Sequence, residues 1–156
     1  MPKKAVRKKG KKKTPIEYCA DAIAIRGGDY VFIERLTEPK GLALIGGRLA
    51  KGEDVKQCII REVREEIGCE FTVHRMLGFF DAPGRDPRGP KVTTVFVGSA
   101  LGRFRNEEGK TKVIVLSAEK AKQRKNEFVF DHYEIFDYFL RGGGMKTEEG
   151  RSNENV

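Results

Sequence analysis

The chain has 156 residues, 38% of them apolar and 35% charged, with a formal net charge of +8. That length suits one domain with a proper core, and nothing in it approaches the ~18 consecutive apolar residues of a membrane span. The charge is uneven: residues 1–13 hold eight lysines and arginines and no acid, leaving basic and acidic residues equal in the remainder, 23 of each.

Residues 1–15 have no apolar period and are expected to be a disordered basic tail. Such a run either holds nucleic acid weakly through salt-sensitive phosphate contacts or is a solubilising extension. It lacks the apolar segment of a signal peptide, and Cys19, Cys58 and Cys69 form no CxxC. Both features fit a cytoplasmic chain with reduced, buried thiols and no membrane association. His74 and His132 lie near no cysteine pair, which argues against zinc.

Tyr18 to Ile25 reads as a strand, Arg26-Gly27-Gly28-Asp29 as a hairpin turn, and Tyr30 to Arg35 as the partner strand. Arg35 is a candidate phosphate contact, or simply a surface arginine. A short strand over Leu42–Ile45 feeds Gly46-Gly47, a pair that reads as a tight turn allowing close approach to a ligand.

A helix follows from about Asp54, its N-cap, to Ile67, stopping at Gly68. Val55, Ile59, Ile60, Val63 and Ile67 form its apolar arc, and Glu62, Glu65 and Glu66 fall on a neighbouring one. Glu66 lies at the edge of the buried face. Three carboxylates so placed repel one another, and a hard divalent ion, Mg²⁺ or Mn²⁺, would relieve them. A solvated acidic helix end is the plainer alternative.

Glu70 to Asp81 reads as a strand interrupted at His74-Arg75, and Lys91 to Leu101 as a central strand. Between them, three prolines and two glycines stiffen a loop that carries Arg85, Asp86 and Arg88. Arginines on a stiff loop suit bidentate phosphate contacts. Residues 102–111 form a polar loop with Glu107 and Glu108. A strand over Lys112–Leu116 follows, then a short helical stretch capped by Ser117. Last comes a helix over Phe128–Leu140 with Asp131 as N-cap and its aromatics in the core. Residues 142–156 are read as a flexible tail, so the folded domain spans 16–141.

Gly47, five residues, Glu53, seven residues, then Arg61-Glu62-Val63-x-Glu65-Glu66-x-Gly68 resembles the signature of the Nudix hydrolases. Cys69 departs from the aliphatic residue usual there, and Ile45 from the proline usual before the glycine pair. The segments RDPRG (85–89) and FDH (130–132) resemble the ADP-ribose pyrophosphatase-like branch. The resemblance implies an α/β/α sandwich with a mixed sheet between helices. It also implies metal ligation by Glu62, Glu65, Glu66 and the Gly46 carbonyl, with Gly47, Glu53, Arg61 and Gly68 supporting the site. Arg35, Arg85, Asp86 and Arg88 become substrate contacts, and Glu62, Glu65, Glu107 or Glu108 supplies the catalytic acid–base group.

The implied reaction is Mg²⁺-dependent cleavage of a nucleoside diphosphate linked to another moiety, with ADP-ribose leading, by a chain that relatives suggest is a homodimer. Two alternatives stand behind it. One is hydrolysis of nucleoside triphosphates or RNA 5′ ends, the other a non-catalytic nucleotide-binding regulator.

Overall fold

The computed structural model describes residues 14–144; the basic run 1–13 and the polar stretch 145–156 lie outside the described residues. The chain runs β1 (Glu17–Arg26), β2 (Asp29–Arg35), β3 (Gly41–Ala43), β4 (Ile45–Arg48), α1 (Val55–Ile67), β5 (Glu70–Phe80), β6 (Lys91–Leu101) and β7 (Thr111–Leu116). It ends in α2 (Ala118–Gln123), a 3-10 turn (Lys125–Glu127) and α3 (His132–Leu140). All seven strands join one mixed sheet with the central order β3-β2-β1-β6-β5; β7 flanks β2 and β4 pairs with β1. No helix among the described residues is long and apolar enough to cross a membrane.

Alternation along β1 separates the two faces. Ala20, Ala22 and Ala24 point to one side, where they meet Cys58, Ile59, Val63 and Ile67 of α1. Small residues on the strand let the helix lie close, and burying each of its aliphatic side chains stabilises the fold by roughly 1.5–3 kcal/mol. Ile23 points to the other side, into a cluster with Phe32, Leu42, Leu44, Ile135 and Phe136 that seats α3. The expected helix–sheet–helix sandwich is the observed one.

The pairing of β1 positions the site. Its C-terminal end pairs with β2 only from Ala24↔Val31 to Arg26↔Asp29. Beyond that the two strands part. The chain crossing Leu44 leaves β2, which it pairs at Ile33↔Ala43, and joins β1 from Ala22↔Ile45 to Cys19↔Arg48. On its other edge β1 runs parallel to β6 from Glu17↔Lys91 to Ile25↔Ser99.

Two expectations need correcting. Gly46-Gly47 is not a turn: both residues lie in β4, paired with Asp21 and Ala20. The apolar run from Phe128 is helical only from His132, where the Asp131 cap position puts the start, and Phe130 ahead of it takes a left-handed φ of 58°. Residues 128–129 instead join the strand layer, with the Val129 amide donating to the Leu42 carbonyl at 2.9 Å.

Candidate active site

Helix α1 begins with a reciprocal cap. The Gln57 amide donates to Asp54 Oδ1 at 2.7 Å, and the Asp54 amide donates to Gln57 Oε1 at 3.1 Å. It ends at Gly68, whose φ of 74° few other residues tolerate. Between the caps, Arg61 is the hub. Its Nε and Nη2 grip Glu53 at 2.8 and 2.9 Å, and Nη2 also donates to the Arg48 carbonyl at 3.0 Å. Nη1 reaches Glu62 at 2.9 Å and Glu65 at 3.1 Å. Glu53 in turn accepts from the Ala50 amide at 3.0 Å, and the Arg61 contact holds its carboxyl down at about 2. The helix and the β4–α1 loop are therefore one rigid unit, with Glu53 and Arg61 as the predicted brace.

The acids occupy three environments. Glu66 is half-buried and accepts from the Gly46 amide at 3.2 Å. Burial and then the charge of Glu62 push its pKa well above the usual carboxylate range. Glu62 is also raised, by burial first, although Arg61 opposes it. Glu65 is exposed and engaged by Arg61. Of the two loop acids, Glu107 lies near enough for its charge to raise both Glu62 and Glu66, and it pairs with Lys110 at 3.2 Å. Glu108 is exposed.

Bare backbone lets these acids approach. A Cβ on Gly47 would collide with the Glu62 carboxylate, and one on Gly46 would collide with the Asp21 carboxylate. Carboxylates thus press on the glycine pair from both faces of the sheet. Among the described residues no three His, Cys, Asp or Glu side chains stand as a closed metal cluster. The donor set nonetheless fits a hard divalent cation. Glu62 and Glu66 are desolvated, mutually repelling oxygen donors against a backbone with no side chain in the way.

An open cleft lined by Arg48, Arg61, Glu62 and Glu65 adjoins a second cavity of about 380 Å³, and Glu17 and Arg48 line both. The cavity opens where β1 and β2 part, and Asp21, Arg35, Arg88, Phe130 and His132 line it. That volume lies within the range of small-molecule sites.

Here the predicted substrate contacts divide. Arg35 donates to the carbonyls of Pro39 at 2.7 Å and Glu38 at 3.3 Å, and among the described residues no carboxylate is bonded to it. Burial and the nearby Arg88 lower its pKa. Arg88 is half-exposed; its guanidinium lies 4.9 Å from the Phe130 ring centre, and that of Arg35 lies 5.3 Å away. Asp86 is buried, and although burial works the other way, Arg88 holds its carboxyl at about 2 through bonds of 2.8 and 3.0 Å. Arg85 is buried too and makes a bidentate pair with Asp131 at 2.8 and 3.0 Å. That pair also corrects the expected N-cap: Asp131 stands at the cap position but spends its carboxylate on Arg85.

Asp21 and Thr93 escaped the sequence reading, and Phe130 and His132 entered it only within the FDH segment, without a role in the site. Thr93 Oγ1 donates to Asp21 Oδ2 at 2.6 Å, and burial raises Asp21 to about 6. The Leu44 amide donates to His132 Nδ1 at 2.9 Å, and burial lowers this imidazole to about 3, so it is neutral. One signal was available: Asp21 is the lone charge in the otherwise apolar run Cys19–Ile25.

The NUDIX domain family model matches residues 17–139. Over 153 residues the chain is 31% identical to a protein named ADP-ribose pyrophosphatase from Methanocaldococcus jannaschii, covering 89% of this chain and 84% of that one. Its fold is similar to the bifunctional NMN adenylyltransferase/ADP ribose pyrophosphatase of Francisella tularensis in complex with AMP and a Mn ion, with a TM-score of 0.74 and 25% identity. That match covers 82% of this chain and 42% of the other, so the chain spans less than half of the Francisella protein. The NUDIX domain of Shewanella oneidensis NrtR, complexed with ADP ribose, shares the fold at a TM-score of 0.72 and 17% identity, over 82% of this chain and 88% of that one. With its signature helix braced as the spacing demands and a family match over nearly all the described residues, the chain belongs to the NUDIX family and is a hydrolase of phosphoric anhydride bonds.

Proposed function

We propose that the protein hydrolyses ADP-ribose to AMP and ribose 5-phosphate with Mg²⁺, Mn²⁺ serving in its place. The observation that carries this reading is the juxtaposition of two desolvated carboxylates, Glu62 and Glu66, with a cation-lined cavity one strand away. The relative named ADP-ribose pyrophosphatase adds support at 31% identity. The free, buried cysteines suit a cytoplasmic enzyme.

Glu62, Glu65, Glu66 and the Gly46 carbonyl would hold the metal. When bound, it neutralises charge on the diphosphate and lowers the pKa of attacking water. The remaining tasks fall to the chain itself. Arg61 and Glu53 keep the α1 carboxylates aimed. Arg35 and Arg88 supply positive charge for phosphoryl oxygens. Glu107, whose charge already bears on Glu62 and Glu66, is the better placed loop acid to accept the proton of the attacking water. The water oxygen joins one phosphorus as the bridging P–O bond breaks, and the second phosphate leaves on its sugar.

A Mg²⁺-dependent panel of ADP-ribose, nucleoside triphosphates and RNA bearing a 5′ triphosphate tests the assignment. The expected result is kcat/KM highest for ADP-ribose by tenfold or more. Equal or faster hydrolysis of the triphosphates would remove the substrate while leaving the hydrolase.

A further inference from the structure

The floor of the cavity holds an incompletely partnered donor and acceptor. Asp21 and His132 are each 6% exposed, and both line the cavity. Because His132 Nδ1 accepts from the Leu44 amide, the ring proton of the neutral imidazole sits on Nε2. The carboxylate oxygen it faces, Asp21 Oδ2, is 3.9 Å away, too far for a hydrogen bond. Asp21 Oδ2 takes the Thr93 hydroxyl, and Oδ1 lies over the bare Cα of Gly46. Among the described residues the side-chain polar atom sealed from solvent without a partner is Thr111 Oγ1. Nε2 of His132 and Oδ1 of Asp21, neither bonded nor sealed, therefore open on the cavity.

The spacing selects the chemistry of what binds. An oxygen about 2.8 Å from both atoms fits between a donor and an acceptor 3.9 Å apart. It must accept from Nε2–H and donate to the carboxylate, and a hydroxyl does both. A phosphate oxygen would meet the carboxylate with no proton to give, and a methylene would leave two buried polar groups unpaired. Arg85 does not compete for Asp21, since Asp131 holds it.

We propose that Asp21 and His132 read a sugar hydroxyl of the diphosphate substrate, so that the protein prefers ribosyl over deoxyribosyl compounds. This rests on the pyrophosphohydrolase reading of the site and adds a specificity role for two residues outside the signature helix. Thr93 is the positioning residue, fixing the carboxylate through its 2.6 Å bond.

The test compares kcat/KM of the full chain with Mg²⁺ for ADP-ribose and for analogues lacking one hydroxyl on either ribose. At least one analogue should fall about 100-fold or more, since a site built to bond a hydroxyl leaves buried groups unpaired without it. In Asp21→Asn and in His132→Asn that ratio should shrink to within about tenfold, with folding checked by circular dichroism. Wild-type rates that are equal for ADP-ribose and every deoxy analogue overturn the proposal. So do variants that lose all substrates by one common factor, the mark of a merely structural role. If a different nucleotide is the substrate, ADP-ribose falls as the assignment, and that nucleotide against its deoxy form decides the hydroxyl site. Calorimetric binding of the same pairs to the metal-free protein should show the same preference without turnover.

Discussion

His132 makes the fold sensitive to acid in a way that can be isolated. Its imidazole ionises near 6.5 in the unfolded chain, but burial, and next the charge of Arg85, lower it to about 3 in the folded one. A histidine depressed in this way contributes stability that is complete above pH 6.5 and is lost as the pH falls from 6.5 towards 3. Between pH 7.5 and pH 5 the unfolded chain takes up nearly one proton there and the folded chain takes up none. The resulting loss is about 2 kcal/mol. His132→Asn keeps an acceptor for the Leu44 amide and removes the titration. Its cost from the lost ring volume is the same at every pH. Urea unfolding of both proteins at pH 7.5 and pH 5, with a chelator present, should show the wild type losing about 2 kcal/mol more than the variant. Asp21 titrates in the same window with the opposite sign, its raised pKa of about 6 making the folded state relatively more stable in acid. It is common to both proteins, so the difference between the two pH profiles measures His132. Parallel profiles would refute the buried, neutral imidazole.

Three further outcomes test the rest of the site. Glu66→Gln removes a charge that burial and Glu62 disfavour. The metal-free protein should keep or gain stability, while turnover with Mg²⁺ falls about 100-fold or more and the Mg²⁺-dependent rise in Tm shrinks; unchanged kinetics would contradict the ligand role. Asp131→Ala leaves the Arg85 guanidinium buried and unpaired, and denaturant unfolding should show a loss of about 3–5 kcal/mol. Gly46→Ala and Gly47→Ala should differ in kind. The first drives a methyl into the Ala20 carbonyl and the Asp21 backbone as well as the Asp21 carboxylate, and should lower Tm by breaking the β1–β4 pairing. The second pushes on the Glu62 carboxylate and erodes metal affinity, as thermal melts and steady-state kinetics with varied Mg²⁺ will separate.

What the sequence made legible was local. The cap at Asp54, the stop at Gly68 and the apolar arc of α1 depend on neighbours three or four residues away, and they appear as read. The interruption at His74-Arg75 likewise appears as a register shift between Val73 and Arg75. The misread features depend on distant partners. Gly46 looks like a turn residue until Asp21, on another strand, fills the space where its side chain would be. Asp131 looks like a helix cap until Arg85, from the proline-rich loop, claims its carboxylate. Two charges read on the loop, Arg85 and Asp86, are buried, the first paired with Asp131 and the second with Arg88. Phe130 precedes the final helix with a left-handed backbone, and its ring both packs against the α1 core cluster and lines the cavity.

The glycine pair explains why these distant contacts matter to chemistry. Glu62 and Glu66 approach β4 from the α1 face, and Asp21 approaches it from the α3 face, so two environments meet across one strand of backbone. Any side chain at Gly46 or Gly47 would hold them apart. The α1 side gathers raised, repelling carboxylates that a bound cation would relieve. On the other side, the acid is shared with a hydroxyl of Thr93 and faced by a neutral histidine, an arrangement that a cation would not need and a sugar hydroxyl completes. A substrate whose ribose lies against Asp21 and His132, and whose diphosphate runs past Arg35 and Arg88 of the same cavity towards the α1 carboxylates, would use both at once. That division follows from two missing side chains rather than from any added catalytic group.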